Sequence, residues 1–117
     1  MTTIFVYGTL KRGGRSRFML KGAEFLREAI TLPQFALFHN GTYPCMVSGS
    51  SAVSGELWRV DSKMLAELDH FEGVHTGWYR RESITLADGS AAYAYIFQQP
   101  VDNLQPCAAW PLSEVPA

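Results

Sequence analysis

Two stretches of the chain carry residue types and spacings with chemical potential. In the first, Ile4-Phe-Val-Tyr-Gly-Thr-Leu-Lys-Arg-Gly-Gly14, an apolar run stops at Gly8 and polar, glycine-containing backbone follows. That is the pattern of a strand opening into a binding loop. Gly8 can take backbone angles closed to other residues and lets a ligand approach the main chain without a Cβ in the way. The amides of Gly8, Thr9 and Leu10 are then donors suited to a carboxylate, or to a carbonyl oxygen that gains charge during reaction. Gly8 and Gly13 have the spacing of the outer glycines of a phosphate-binding P-loop. Gly14 and Arg15, however, stand where that motif needs Lys and Ser or Thr, which argues against a nucleotide.

The second stretch is Leu68-Asp69-His70-Phe71-Glu72-Gly73. A carboxylate at a helix C-terminus opposes the macrodipole, at a cost on the order of 0.3–1 kcal/mol, so Glu72 needs a compensating reason to be there. Solvent exposure is one reason. The other is that Glu72 turns into a partly apolar pocket, where desolvation raises its pKa toward the range useful for proton transfer near neutrality. Competing acids read more simply as surface: Glu56 mid-strand, Glu67 and Asp69 on the solvated side of the helix, and Glu82 beside Arg80 and Arg81. His39, His70 and His75 are isolated from any Ser or Cys nucleophile motif, so a triad has no support. Cys45 and Cys107 lie far apart without CxxC or metal-ligand spacing, so no redox pair or metal site is indicated.

These residues need elements to hold them. Ile4 to Tyr7 reads as a buried first strand, Phe35 to Phe38 and Cys45 to Val47 as short strands around the Asn40-Gly41 turn, and Val53 to Val60 as a firmer one. Arg17 to Ala29 mixes helical and extended signals. Asp61 caps a helix in which Met64, Leu65, Leu68 and Phe71 recur at helical spacing, and Gly73 stops it. Trp78 to Leu86 and Ala91 to Gln98 form a hairpin about Asp88-Gly89, which places Tyr93, Tyr95 and Phe97 on one face. Several short strands and one good helix predict an α+β fold with a small, curved, barrel-like mixed sheet and the helix alongside. The 117 residues form one expected domain, with an irregular proline-containing tail from about residue 104, through Pro106, Pro111 and Pro116.

Composition narrows the partners. The chain is 47% hydrophobic and 18% charged, has no apolar run long enough to span a bilayer, and begins without a signal-peptide pattern. A cytoplasmic location without membrane association is the expectation. A net charge of −1 gives no global reason to bind nucleic acid, and the local cluster Lys11, Arg12, Arg15, Arg17 and Lys21 reads as solvated surface. The pattern says nothing about oligomeric state.

Taken together, Val6-Tyr7-Gly8-Thr9-Leu10-Lys11, Thr42-Tyr43-Pro44, Gly55-Glu56-Leu57, Leu68-Asp69-His70-Phe71-Glu72-Gly73 and Tyr79-Arg80 resemble the gamma-glutamylcyclotransferase-like family. The resemblance runs from about residue 3 to 98 and is strongest to the small branch with gamma-glutamylamine cyclotransferase and bacterial AIG2-like proteins. It implies a cavity at the Tyr-Gly-Thr-Leu loop and one essential glutamate, which maps onto Glu72. It also implies a cofactor-independent, intramolecular reaction: the α-amine of a gamma-glutamyl group attacks its own γ-amide carbonyl, giving 5-oxoproline and a free amine. Glu72 would act as general acid/base. Tyr7, Gly8, Thr9 and Leu10 would bind substrate, while Tyr79, and with it Tyr95, would orient Glu72 or line the pocket. The alternative is a non-catalytic module that holds a small carboxylate-bearing metabolite in the same cavity.

Overall fold

The computed structural model describes residues 1–112. Its elements run β1 (Thr2–Val6), β2 (Glu24–Ile30), β3 (Phe35–His39), β4 (Pro44–Ser48), β5 (Ser54–Val60), α1 (Ser62–Phe71), β6 (Tyr79–Thr85), β7 (Ala91–Phe97) and β8 (Gln105–Cys107). A five-stranded sheet has the order β2-β5-β1-β7-β6, and a second sheet the order β4-β3-β8. β1 runs antiparallel to β5, with Val6 opposite Glu56, and parallel to β7. Just beyond the two edge strands a Thr31–Leu86 bridge forms, and the Ala87 amide donates to the Ile30 carbonyl at 2.9 Å. Those contacts bend the large sheet toward closure, which gives the expected barrel-like curvature.

From Ile4 onward β1 is apolar because both its faces are covered there. Phe5, with Tyr7 beyond it, packs inside the barrel with Leu37, Met46, Leu57 and Ile96. Ile4 and Val6 point the other way, into a layer with Leu68 of α1 and with Tyr79, Tyr95 and Phe97. Ile4 and Phe5 are at most 1% exposed, and full burial of such a side chain stabilises by about 1.5–3 kcal/mol. Asp61 caps α1 by accepting from the Met64 amide at 2.8 Å, and Gly73 ends it with φ of 68°. Asp88-Gly89 turns the β6–β7 hairpin, with Gly89 at φ 87° and Asp88 accepting from the Ser90 amide. Among the described residues no helix is long and apolar enough to cross a membrane.

One expectation needs correction, that of an irregular tail, and two readings gain detail. The ambiguous stretch after Arg17 resolves into a 3-10 turn at Arg17–Leu20 followed by β2, whose register shifts between Phe25 and Arg27. That bulge breaks the two-residue alternation by which a strand is read. The tail expected to be irregular from about 104 contributes β8, which pairs with β3 and sets Pro106 opposite Phe38. Pro106 is tolerated because β8 is an edge strand, where a missing amide donor leaves no ladder bond broken. Pro116 lies outside the described residues. Tyr93 alternates with Tyr95 and Phe97 as expected but is 39% exposed, with the Arg81 guanidinium 4.9 Å from its ring centre.

Candidate functional site

The apolar strand β1 delivers the loop that follows it to one end of the sheet. There a pocket of about 290 Å³ lies between that loop, the C-terminal end of α1, Tyr43-Pro44, the start of β6 and Tyr95 of β7. This is near the lower end of ligand-pocket sizes, roughly 300–1,000 Å³. Glu72, Tyr7, Gly8, Thr9, Leu10, Tyr79 and Tyr95 all line it. The two sequence stretches, some 60 residues apart, thus meet across one cavity.

Gly8 is required for a different reason than the sequence indicated. Its φ is not positive, unlike those of Gly13, Gly73 and Gly89. Instead, a Cβ at Gly8 would lie 2.7 Å from Pro44 Cγ and 3.0 Å from its Cδ, so the loop and the start of β4 approach too closely for any side chain. The loop is folded by its own main chain: Lys11 donates to the Gly8 carbonyl at 3.1 Å and Ser16 to that of Thr9 at 2.9 Å. The amides of Gly8, Thr9 and Leu10 donate to no other group among the described residues. They are main-chain donors beside a cavity, as an anion or a polarised carbonyl would use them.

Glu72 is the C-cap of α1, its amide bound to the Leu68 carbonyl at 2.9 Å, and the left-handed Gly73 turns the chain away immediately after it. Its side chain is partly buried on the pocket wall, and no cation pairs with it among the described residues. Desolvation therefore acts unopposed and raises its pKa from 4.5 to about 7. A carboxyl in that range exchanges a proton readily near neutral pH.

The tyrosines are tied down rather than free. Tyr7 donates to the Tyr95 carbonyl at 2.6 Å and accepts from the Met46 amide at 3.4 Å. Tyr79 donates to the Pro44 carbonyl at 3.3 Å and not to Glu72, so of its two anticipated roles the geometry gives it the pocket wall. Tyr95 donates to Asp69 at 2.8 Å. Burial, chiefly, pushes all three phenols above their ordinary pKa, with the Glu72 charge adding to it, so they remain neutral donors.

Two acids read as surface have other positions. Asp69 has a side chain only 17% exposed; it accepts from Arg81 Nε at 2.9 Å as well as from Tyr95, and so fixes a pocket tyrosine from behind. Glu56 is 6% exposed and faces away from the pocket, accepting from the Arg12 amide at 2.9 Å, Arg12 Nε at 3.1 Å and Trp58 Nε1 at 3.2 Å. It anchors the far end of the Gly8 loop to β5. Arg12 accordingly is no free surface charge, and its guanidinium also lies 3.7 Å from the Phe25 ring centre. Helical spacing marks Asp69 as outward-facing because it cannot show that Arg81 of β6 and Tyr95 of β7 reach that side of α1.

The sequence reading did not place Arg15, Ser16, Tyr43 or Trp78 at the site, yet all line the pocket. Trp78 and Phe71 are 51% and 45% exposed at its mouth. The adjacency of Trp78 to Tyr79 was a signal for the former; for Arg15 and Ser16 there was none beyond a place in the basic run.

Residues 4–112 match the family described as Gamma-glutamyl cyclotransferase, AIG2-like. Over 102 residues, 87% of this chain and 88% of the other, it is 36% identical to the gamma-glutamylcyclotransferase family protein YtfP of Escherichia coli. It is 41% identical over 93 residues to gamma-glutamylaminecyclotransferase C of Danio rerio, covering 71% of this chain and 60% of that one. The crystal structure of an AIG2-like protein from Mus musculus superimposes with a TM-score of 0.81 at 27% identity, covering 94% of this chain and 88% of the mouse chain.

Proposed function

The chain belongs to the Gamma-glutamyl cyclotransferase, AIG2-like family, and from that premise we propose that it converts a gamma-glutamyl amine, or a related gamma-glutamyl compound, to 5-oxoproline and a free amine. The observation that carries this reading is Glu72, a carboxyl with no cationic partner among the described residues and raised to about 7, facing the main-chain donors of the Gly8 loop across one small cavity.

The substrate's α-amine and γ-carbonyl are already tethered, so the pocket has only to hold them in attack geometry. The α-ammonium, with an ordinary pKa of about 8, gives a proton to the Glu72 carboxylate, which at about 7 is partly ionised near neutrality. The freed amine attacks the γ-carbonyl carbon and a new C–N bond closes the five-membered ring. Amides at Gly8 to Leu10 bind the substrate's carboxylate or the oxygen that gains charge. Glu72 gives that proton to the departing nitrogen as the original C–N bond breaks, and the second proton, shed by the ring nitrogen, passes through the same carboxyl to the leaving amine, which departs as its ammonium. Substrate atoms equal product atoms, so no water and no cofactor enter. Tyr7, Tyr79 and Tyr95, each held by a hydrogen bond, supply a fixed wall for the folded-back substrate.

The test is mass-spectrometric detection of 5-oxoproline after incubating the protein, and its Glu72→Gln variant, with a panel of gamma-glutamyl amines and peptides. Product from the unaltered protein and a loss of at least about 100-fold in the variant is expected for a general acid/base. Saturable binding with no product would replace the reading by a non-catalytic metabolite-binding role. Full activity of the variant would remove Glu72 from the mechanism.

A further inference from the structure

The proposed reaction fixes what lies deep in the pocket and leaves open what projects from it. Glu72, Tyr7, Leu10 and Tyr79 form the inner wall, the last three under 9% exposed, and there the compact, folded-back glutamyl group must sit. The leaving amine then extends through the mouth, past Phe71, Trp78 and Arg15. Phe71 and Trp78 are large apolar side chains about half exposed at that edge, where covering them is favourable.

Arg15 is distinguished by a side chain without a partner among the described residues. Each of the other arginines has one: Arg12 binds Glu56, Arg17 the Gly14 carbonyl, Arg27 Asp88, Arg59 Glu24, Arg80 Glu82 and Arg81 Asp69. Arg15 makes no ion pair or hydrogen bond among the described residues, although it borders both the pocket and a second cleft beside Thr42, Trp110 and Pro111. A guanidinium placed so is available to a carboxylate and unfavourable to a second cation.

Resting on the proposed function, we infer that Arg15, Phe71 and Trp78 form a leaving-group subsite selecting amines that carry a carboxylate beside an apolar or aromatic side chain. The favoured substrates are gamma-glutamyl derivatives of apolar α-amino acids rather than of simple amines or of a cationic amine. Arg15 is then a specificity-determining residue: it pairs with the leaving group's carboxylate, while the apolar side chain lies over Phe71 and Trp78.

A matched pair isolates the carboxylate: gamma-glutamylphenylalanine and gamma-glutamylphenethylamine differ only by that group on the leaving amine. The unaltered protein should prefer the former in kcat/KM by about fivefold to tenfold, as one partly exposed charge-assisted contact gives, and the preference should shrink with added salt. Arg15→Gln should bring the two to within about twofold of each other, and Arg15→Glu should invert the order. Equal turnover by the unaltered protein would overturn the inference. So would an equal loss on both substrates in Arg15→Gln, because Arg15 would then be holding the glutamyl carboxylate that they share. Calorimetric affinities of the same two compounds for Glu72→Gln provide a readout without chemistry. If no 5-oxoproline forms but the affinities differ and Arg15→Gln in that background equalises them, the proposed reaction fails and the subsite stands. If the affinities are equal, the subsite falls whatever the chemistry.

Discussion

Glu72→Gln should stabilise the protein, and by an amount that depends on pH. In the folded chain the Glu72 carboxyl titrates at about 7, against 4.5 ordinarily, because burial disfavours its charged form. A raised carboxyl contributes its full stability below pH 4.5, where both states hold the proton, and loses it as pH climbs toward and through 7. At pH 8 the unfolded state has released the proton freely and the folded state has done so against desolvation. At about 1.4 kcal/mol per tenfold, the gap comes to about 3 kcal/mol at pH 8 and to less than about 1 kcal/mol at pH 5. Glutamine keeps the shape and does not titrate. Urea denaturation of both proteins should therefore show the variant gaining about 2.5 kcal/mol on the unaltered protein between pH 5 and pH 8, or roughly 10 °C in Tm for a domain of this size. A stability difference between the two proteins that stays constant from pH 5 to pH 8 would refute the argument, since Glu72 would then titrate alike in both states.

Other residues give sharper local tests. Gly8→Ala forces a Cβ against Pro44 and should cost about 1–3 kcal/mol in denaturation; Pro44→Ala in the same chain should return much of it, so the pair is non-additive. Arg12→Ala leaves the buried Glu56 with only the Arg12 amide and Trp58 as donors, and should cost about 1–3 kcal/mol, whereas Arg59→Ala, which breaks an exposed pair with Glu24, should cost less than about 1 kcal/mol by the same assay. Gly73→Ala places a side chain at φ 68° and should lose about 1–2 kcal/mol, with activity falling further than folding does, because the turn directs Glu72.

The parts of this fold written in local pattern are legible from residues. The run into Tyr7, the Asp61 cap, the Gly73 stop and the Asp88-Gly89 hairpin all follow from side-chain periodicity or from backbone chemistry. Glu72 stands out for a local reason too, as an acid at the unfavourable end of a helix. What local pattern cannot carry is packing between distant segments. Glu56 looks like a surface acid until Arg12 and Trp58 close over it, and Asp69 looks solvated until Arg81 of β6 and Tyr95 of β7 reach it. Gly8 announces a special backbone, yet its demand comes from Pro44, 36 residues on, so the sequence marks the position and hides the cause. β8 is obscured because proline weakens every strand signal and only the edge position makes it acceptable. Arg15 belongs to a basic run like its neighbours, and only the structure separates it as the arginine without a partner among the described residues.

The measurement that bears most directly on the proposed chemistry is the fate of oxygen during turnover of a gamma-glutamyl substrate in water enriched in the heavy oxygen isotope. Intramolecular closure in the Glu72 pocket predicts 5-oxoproline and free amine in equal amounts, with no heavy oxygen in the product. Glutamate carrying the heavy isotope, formed in place of 5-oxoproline, would mean that water and not the α-amine attacks the carbonyl, and would contradict the account.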